Sequence, residues 1–208
     1  MTFRIGRLTL EMSYPLVAVM TAVIITDKSL SVIACFTAAV MHELGHIAVL
    51  CRCGSAPERV KLTLFDIAIV DRKKYSRSIK QELCVILAGV TVNFILAALF
   101  YQLYLLFHNE FLMMLCTANL GLGIFNSLPV DNLDGGQALG ILLGQYYSEL
   151  TASRIIDIIS LFILIPTACI GFLLLLQSRY NFTLLLTALY LVALILLKRI
   201  PRTHKNNG

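Results

Sequence analysis

Long apolar runs constrain this chain more than any other feature of its sequence. Six can be traced, and only the second contains an acidic residue: 12–26, 29–51, 83–107, 111–130, 158–178 and 180–197. Most approach the roughly 20 residues that an α-helix needs to cross a bilayer core. With 58% hydrophobic and 14% charged residues, the chain also has too little polar surface to coat a soluble globule of 208 residues. We therefore expect a single-domain, all-α polytopic membrane protein with about six transmembrane helices.

Basic residues divide unevenly between the two sides that six spans would create. One side receives 15 of the 17 Lys and Arg residues, and Lys28 and Arg179 fall on the other. Basic loops stay in the cytoplasm, so both termini and the 52–80 loop are expected there. This pattern predicts a multi-pass protein of the bacterial cytoplasmic membrane. Topology and contact with anionic lipid of the bilayer explain the net charge of +5, so no nucleic acid is needed as a partner.

Residues 42–46, inside the second run, read His-Glu-Leu-Gly-His, a zinc-protease helix motif. His42 and His46 are four residues apart, so on a helix they share a face and can share a metal ion, while Glu43 projects beside them to activate a water. Ionisable side chains at membrane depth cost at least about 2.5 kcal/mol each, which favours a functional cluster. The alternative is a pair of histidines that satisfies polar groups in a packed helix bundle.

A second polar segment covers 126–136 and reads Asn-Ser-Leu-Pro-Val-Asp-Asn-Leu-Asp-Gly-Gly. Pro129 interrupts a helix and the glycines favour turns, so a side chain here can dip toward a neighbouring helix. Catalytic zinc needs a third protein ligand, and Asp131 or Asp134 can supply it. Spacing does not choose between the two carboxylates, and an ordinary polar loop is the alternative interpretation.

Residues 59–71 are rich in β-forming side chains between charged ends and are too short to span a membrane as a helix. We expect a short membrane-associated β-strand or hairpin there. An extended substrate that pairs with its edge would present a peptide carbonyl for attack, with Phe65 in contact with the substrate. A structural flap or a surface strand is the alternative.

Together, the two polar motifs resemble the site-2 protease family of intramembrane zinc metalloproteases. The six-span layout without a large inserted domain most resembles the stage IV sporulation protein FB branch. The resemblance covers nearly the whole chain, and it implies that His42, His46 and Asp134 hold one zinc ion while Glu43 acts as the general base. It therefore favours Asp134 over Asp131.

Three further residues are candidates for substrate binding or support of the site. Residues 88–93, Ala-Gly-Val-Thr-Val-Asn, are similar to the family's G-P-x-x-N stretch, which makes Asn93 a supporting candidate. Asn126 is a candidate oxyanion donor, with helix capping or packing as its alternative role. Pro129 is the third, because it shapes the loop before the carboxylates.

The resemblance implies hydrolysis of peptide bonds in a membrane-associated protein, by analogy a pro-sigma or anti-sigma factor. A regulatory membrane protein is a further candidate partner. No PDZ or nucleotide-sensing C-terminal domain is expected, because the chain ends ten residues after Lys198. A metal transporter would need further ligands along other spans. A catalytically silent protein that binds metal or sequesters substrates would be expected to lack Glu43 or Asp134, and both are present.

Overall fold

A computed structural model describes residues 2–5, 8–14, 30–54, 59–62, 67–70 and 77–177, together with positions 21, 189, 192 and 193. The elements follow in the order β1 (Thr2–Ile5), β2 (Leu8–Met12), α1 (Ser31–Arg52), β3 (Arg59–Leu62), β4 (Ile67–Val70), α2 (Ile79–Phe107), α3 (Glu110–Ser127), α4 (Asp134–Leu143) and α5 (Glu149–Gln177). The chain divides into two compact units, Met1–Ser127 and Leu128–Gly208. The first unit holds the strands and α1 to α3, and the second holds α4 and α5.

Three helices in the described part of the chain are long and apolar enough to cross a membrane. They are α1, α2 and the Glu149–Ile170 part of α5. These helices overlap the predicted spans 29–51, 83–107 and 158–178. The described residues therefore fit a helical membrane protein.

The other three predicted spans have different outcomes. Most of 111–130 forms α3, but this helix has 18 residues, ends before Pro129 and is not among the candidate membrane helices. The predicted spans 12–26 and 180–197 fall almost entirely outside the described residues. Within the described part of the chain, the number of candidate spans is thus three and not six. The difference at α3 has a physical cause, because the helix carries two asparagines as well as apolar side chains.

Helix α2 begins four residues before the predicted span because a reciprocal cap starts it there. The Gln81 backbone N–H donates to Ser78 Oγ at 3.3 Å, and the Ser78 backbone N–H donates to Gln81 Oε1 at 3.0 Å. Such caps stabilise a helix by about 1 kcal/mol. Arg77 Nε donates to Glu82 Oε2 at 2.7 Å in the same turn. A span defined by the absence of charge leaves these residues out, although they belong to the helix start.

Four short strands form one sheet in the order β1-β2-β3-β4. The pairs β1–β2 and β3–β4 are antiparallel, while β2 and β3 are parallel. Parallel neighbours need a crossover connection, and α1 lies in it. Strands β3 and β4 lie in the 59–71 segment where a strand or hairpin is expected, whereas β1 and β2 are not expected from the sequence. Association of this segment with the membrane stays a prediction, and Phe65 lies outside the described residues.

Helix α1 packs through one stripe of buried residues. The stripe repeats every four positions and consists of Ala34, Ala38, His42, His46 and Leu50. Small residues bring α2 close: a Cβ atom at Gly45 would lie 2.9 Å from Val92 Cγ2 and 3.0 Å from the Ala88 carbonyl oxygen. Between helices in lipid, such close packing replaces the hydrophobic driving force that acts in water. The stripe therefore turns both histidines toward the interior of the first unit.

Candidate metal site

His42 and His46 are buried side by side on α1, with exposed fractions of 5% and 9%. Their rings meet edge to face, with centroids 4.7 Å apart. The two Nε2 atoms are 3.1 Å apart. A spacing of four residues places side chains one above the other on a helix, which explains why the pair meets.

Hydrogen bonds at Nδ1 orient both imidazole rings. His42 Nδ1 lies 2.5 Å from Asn93 Oδ1, and His46 Nδ1 lies 2.8 Å from the Val85 carbonyl oxygen. Both partners are acceptors, so in each neutral ring Nδ1 carries the hydrogen and donates it. The lone pair of each ring is then on Nε2. The two Nε2 atoms that carry these lone pairs lie 3.1 Å apart.

This donor arrangement suits a cation better than it suits two rings alone. Two lone pairs this close repel, and neutral imidazole nitrogen is a preferred ligand of Zn²⁺. Gly89 on α2 keeps space beside them: a Cβ atom there would lie 2.5 Å from His46 Nε2 and 2.8 Å from His42 Nε2. The histidines and the glycine together therefore fit a zinc ion bound through the two Nε2 atoms.

Glu43 is next to His42 in the sequence and is half-buried on α1. A carboxylate beside a metal-bound water is the usual arrangement for a general base in a His-Glu-x-x-His helix. The position of Glu43 on the helix is compatible with that chemistry. Its role as general base stays a prediction.

In the second unit, a tight loop leads into α4 and places Asp134 in its first turn. Leu133 precedes the helix in an extended conformation, and Asn132 takes a left-handed conformation with φ of 67°. Gly136 has no room for a side chain, because a Cβ atom there would collide with the Val130 carbonyl oxygen. The start of a helix favours a carboxylate, since the backbone N–H groups there carry partial positive charge. The loop thus holds Asp134 at a defined position in its own unit.

The described contacts of the remaining sequence candidates are with the backbone or with residues outside the histidine pair. Asn126 Nδ2 donates to the Leu122 carbonyl oxygen of its own helix at 3.1 Å, which is a helix-internal contact. Pro129 lies in the connection that follows α3. The Asp131 backbone N–H donates to Ser160 Oγ on α5 at 2.8 Å.

Among the candidates of the first unit, the structure brings His42, His46 and Asn93 together. Sequence reasoning missed two groups that orient them. The Val85 carbonyl has no sequence signature, because every residue carries one. Asn119 could have been noticed, because a fully buried amide inside an apolar run is costly unless it is hydrogen-bonded.

Comparisons with known proteins bear on the fold. No model of a protein family matches the chain, and no curated protein matches it either. Among solved structures, the chain is similar to a site-2 protease from Methanocaldococcus jannaschii, with a TM-score of 0.68 and 24% sequence identity. The match covers 95% of this chain and 94% of that chain. The protein therefore shares the fold of this site-2 protease, and its described helices fit a helical membrane protein.

Replacing Gly89 with alanine is expected to reduce bound zinc from about one ion per chain to background. The physical reason is that the added methyl group takes up the space beside both Nε2 atoms. Elemental analysis of the purified protein measures the zinc content. Gly121→Ala is the matched control, because a Cβ atom at Gly121 on α3 meets nothing within 4 Å and should leave the zinc content unchanged. Full zinc content in a folded Gly89→Ala protein would contradict this assignment of the site.

Proposed function

We propose that this protein is an intramembrane zinc metalloendopeptidase of the site-2 protease family. The observation that carries the proposal is the buried histidine pair, whose Nε2 atoms lie 3.1 Å apart on a helix apolar enough to cross a membrane. The His-Glu-Leu-Gly-His sequence at 42–46 and the fold shared with a solved site-2 protease support it. A position near the stage IV sporulation protein FB branch rests only on the expected six-span layout without a large inserted domain.

The proposed chemistry assigns one role to each residue. His42, His46 and Asp134 would hold the zinc ion. Zinc, when bound, polarises the peptide carbonyl and allows a water to lose a proton near neutral pH. Glu43 accepts that proton and passes it to the departing amine.

The proposed substrate is a membrane-associated protein, by analogy a pro-sigma or anti-sigma factor. The proposed location is the bacterial cytoplasmic membrane, with both termini in the cytoplasm, because the basic residues concentrate on that side. Three helices of membrane-spanning length and apolarity support a membrane location. A regulatory membrane protein is a further proposed partner.

The sheet offers a way to present an extended substrate. Strand β4 is at one end of the strand order, so no strand among the described residues pairs with its second edge, and we propose that a further strand can add there. A helical substrate hides its peptide carbonyls, whereas a peptide added to a sheet edge is extended and exposes them at regular intervals. We therefore propose that an extended segment of the substrate pairs with β4 as an additional strand.

Substrate captured at β4 should be cross-linked from that strand and not from the interior of the sheet. A photoreactive residue at Ala68 of β4 or at Phe65 before it is expected to label a single-span substrate in an inactive Glu43→Gln background. The same residue at Leu10 of β2, which has a strand on either side, should give no label. Gel analysis of the cross-linked products measures this. Equal labelling from all three positions would contradict docking at β4.

The Glu43→Gln protein should retain zinc but lose proteolysis by a factor of about 10² to 10⁴, because the amide cannot accept the water proton. Cleavage of single-span substrates in liposomes, with zinc content measured on the same samples, tests this. Glu110→Gln is the control: Glu110 is exposed at the start of α3 and should retain both properties. Full proteolysis by Glu43→Gln would overturn the assigned role. If the wild-type and Glu43→Gln proteins both bound zinc but neither cleaved the substrate, a silent metal-binding protein would be favoured.

Asp134→Asn and Asp131→Asn separate the two carboxylates that sequence spacing leaves open. The Asp134→Asn protein should bind zinc at least about tenfold more weakly, because a neutral amide is a poorer ligand than a carboxylate. The Asp131→Asn protein should keep its affinity, since the bond from the Asp131 backbone N–H to Ser160 Oγ does not depend on the side chain. Competition with a zinc chelator measures both. The opposite order of affinities would make Asp131 the third ligand.

A further inference from the structure

A chain of buried amides connects His42 to a backbone carbonyl on α3. Asn93 Oδ1 bonds to His42 Nδ1, and Asn93 Nδ2 donates to Asn119 Oδ1 at 2.9 Å. Asn119 Nδ2 in turn donates to the Leu115 carbonyl oxygen at 2.8 Å. Asn93 and Asn119 each have an exposed fraction of 0%. The chain of hydrogen bonds therefore connects α1, α2 and α3 without reaching solvent.

The direction of every hydrogen bond in this chain follows from its far end. A carbonyl oxygen can only accept, so Asn119 must turn its NH₂ group toward Leu115 and its oxygen toward Asn93. Asn93 must then turn its NH₂ group toward Asn119, and the same group also donates to the Ala38 carbonyl oxygen at 3.3 Å. Only the Asn93 oxygen remains for His42. His42 therefore places its hydrogen on Nδ1 and its lone pair on Nε2.

We propose that Asn119 is a positioning residue that sets the tautomer and ring orientation of His42 through Asn93, and so prepares Nε2 to bind metal. This inference rests on the proposed zinc site and adds a residue on a third helix to it. Groups that hold the second nitrogen of a metal-binding histidine fix its orientation and raise its basicity. Asn119 acts on His42 indirectly, because its bond to Asn93 determines which amide atom Asn93 presents to His42.

The burial of both amides is consistent with a fixed network. An amide removed from water without a hydrogen-bond partner is destabilising, and an apolar side chain would avoid that cost. Asn93 and Asn119 are tolerated because they bond to each other. Asn93 also meets α3 closely, because a Cβ atom at Gly123 would lie 3.3 Å from Asn93 Cβ. A turned-over Asn93 amide would set its oxygen against the Asn119 oxygen, and two acceptors cannot bond to each other. The network therefore holds one direction.

Two substitutions at Asn119 separate positioning from packing. Asn119→Leu keeps a similar volume but removes the acceptor for Asn93, and zinc affinity should fall about 10- to 100-fold. Asn119→Asp keeps an acceptor oxygen and should bind zinc with nearly the wild-type affinity. Thr117→Val is the control, because it removes a hydroxyl that bonds only to backbone of the same helix. Chelator competition measures the affinities and thermal unfolding of the zinc-free proteins measures folding. Unchanged zinc affinity in a folded Asn119→Leu protein would overturn the proposal.

A second measurement uses the wild-type protein and does not depend on how the variants fold. Nitrogen-15 NMR of the zinc-free protein with labelled histidine reports which ring nitrogen of His42 carries the hydrogen. We expect the Nδ1–H form, and the Nε2–H form would overturn the inference. If the wild-type protein showed the Nδ1–H form but bound no zinc, the proposed role of Asn119 in setting the His42 tautomer would stand. The proposed metalloprotease function would fail. The two proposals can thus be judged separately.

Discussion

A buried imidazole in an apolar helix bundle must bond to the protein itself, and this requirement organises the first unit. His46 uses the Val85 carbonyl, and His42 uses Asn93, which depends in turn on Asn119. Because these partners lie on α2 and α3, the two rings can be satisfied only when all three helices are packed in register. The same bonds place both lone pairs on Nε2, so the contacts that satisfy the buried histidines also leave these lone pairs available to a cation.

Close packing depends on residues that have no side chain. Gly45 allows α1 to approach α2, and Gly89 keeps open the space beside the two Nε2 atoms. In the second unit, Gly136 plays a related part, because the backbone at Val130 occupies the place of its Cβ atom. The candidate chemistry therefore depends on small residues as much as on the polar ones. Their positions tolerate little variation, since the atoms nearby belong to the backbone or to the histidine rings.

The helices follow the sequence pattern closely but differ at their ends for identifiable reasons. Predicted span 29–51 forms α1 at Ser31–Arg52, because hydrophobicity and helical spacing agree there. Helix α5 begins at Glu149, nine residues before its predicted span, because a helix can carry charged residues that an uncharged run excludes. The count of six spans reduces to three in the described residues, and the 111–130 run becomes a helix that ends at Ser127.

The sequence by itself determined the apolar helices and the His-Glu-Leu-Gly-His motif at 42–46. Apolar runs and a spacing of four between His42 and His46 are local properties, and a helix converts them directly into a buried face with two rings on it. Only the tertiary structure decided which nitrogen each ring presents, because that depends on acceptors from helices distant in sequence. It also joined β1 and β2 to β3 and β4 in one sheet, since strand pairing is a contact between segments. The tertiary structure also decided the contact between Asn119 and Asn93. The two residues are 26 positions apart, and only packing of α2 against α3 brings their amides together.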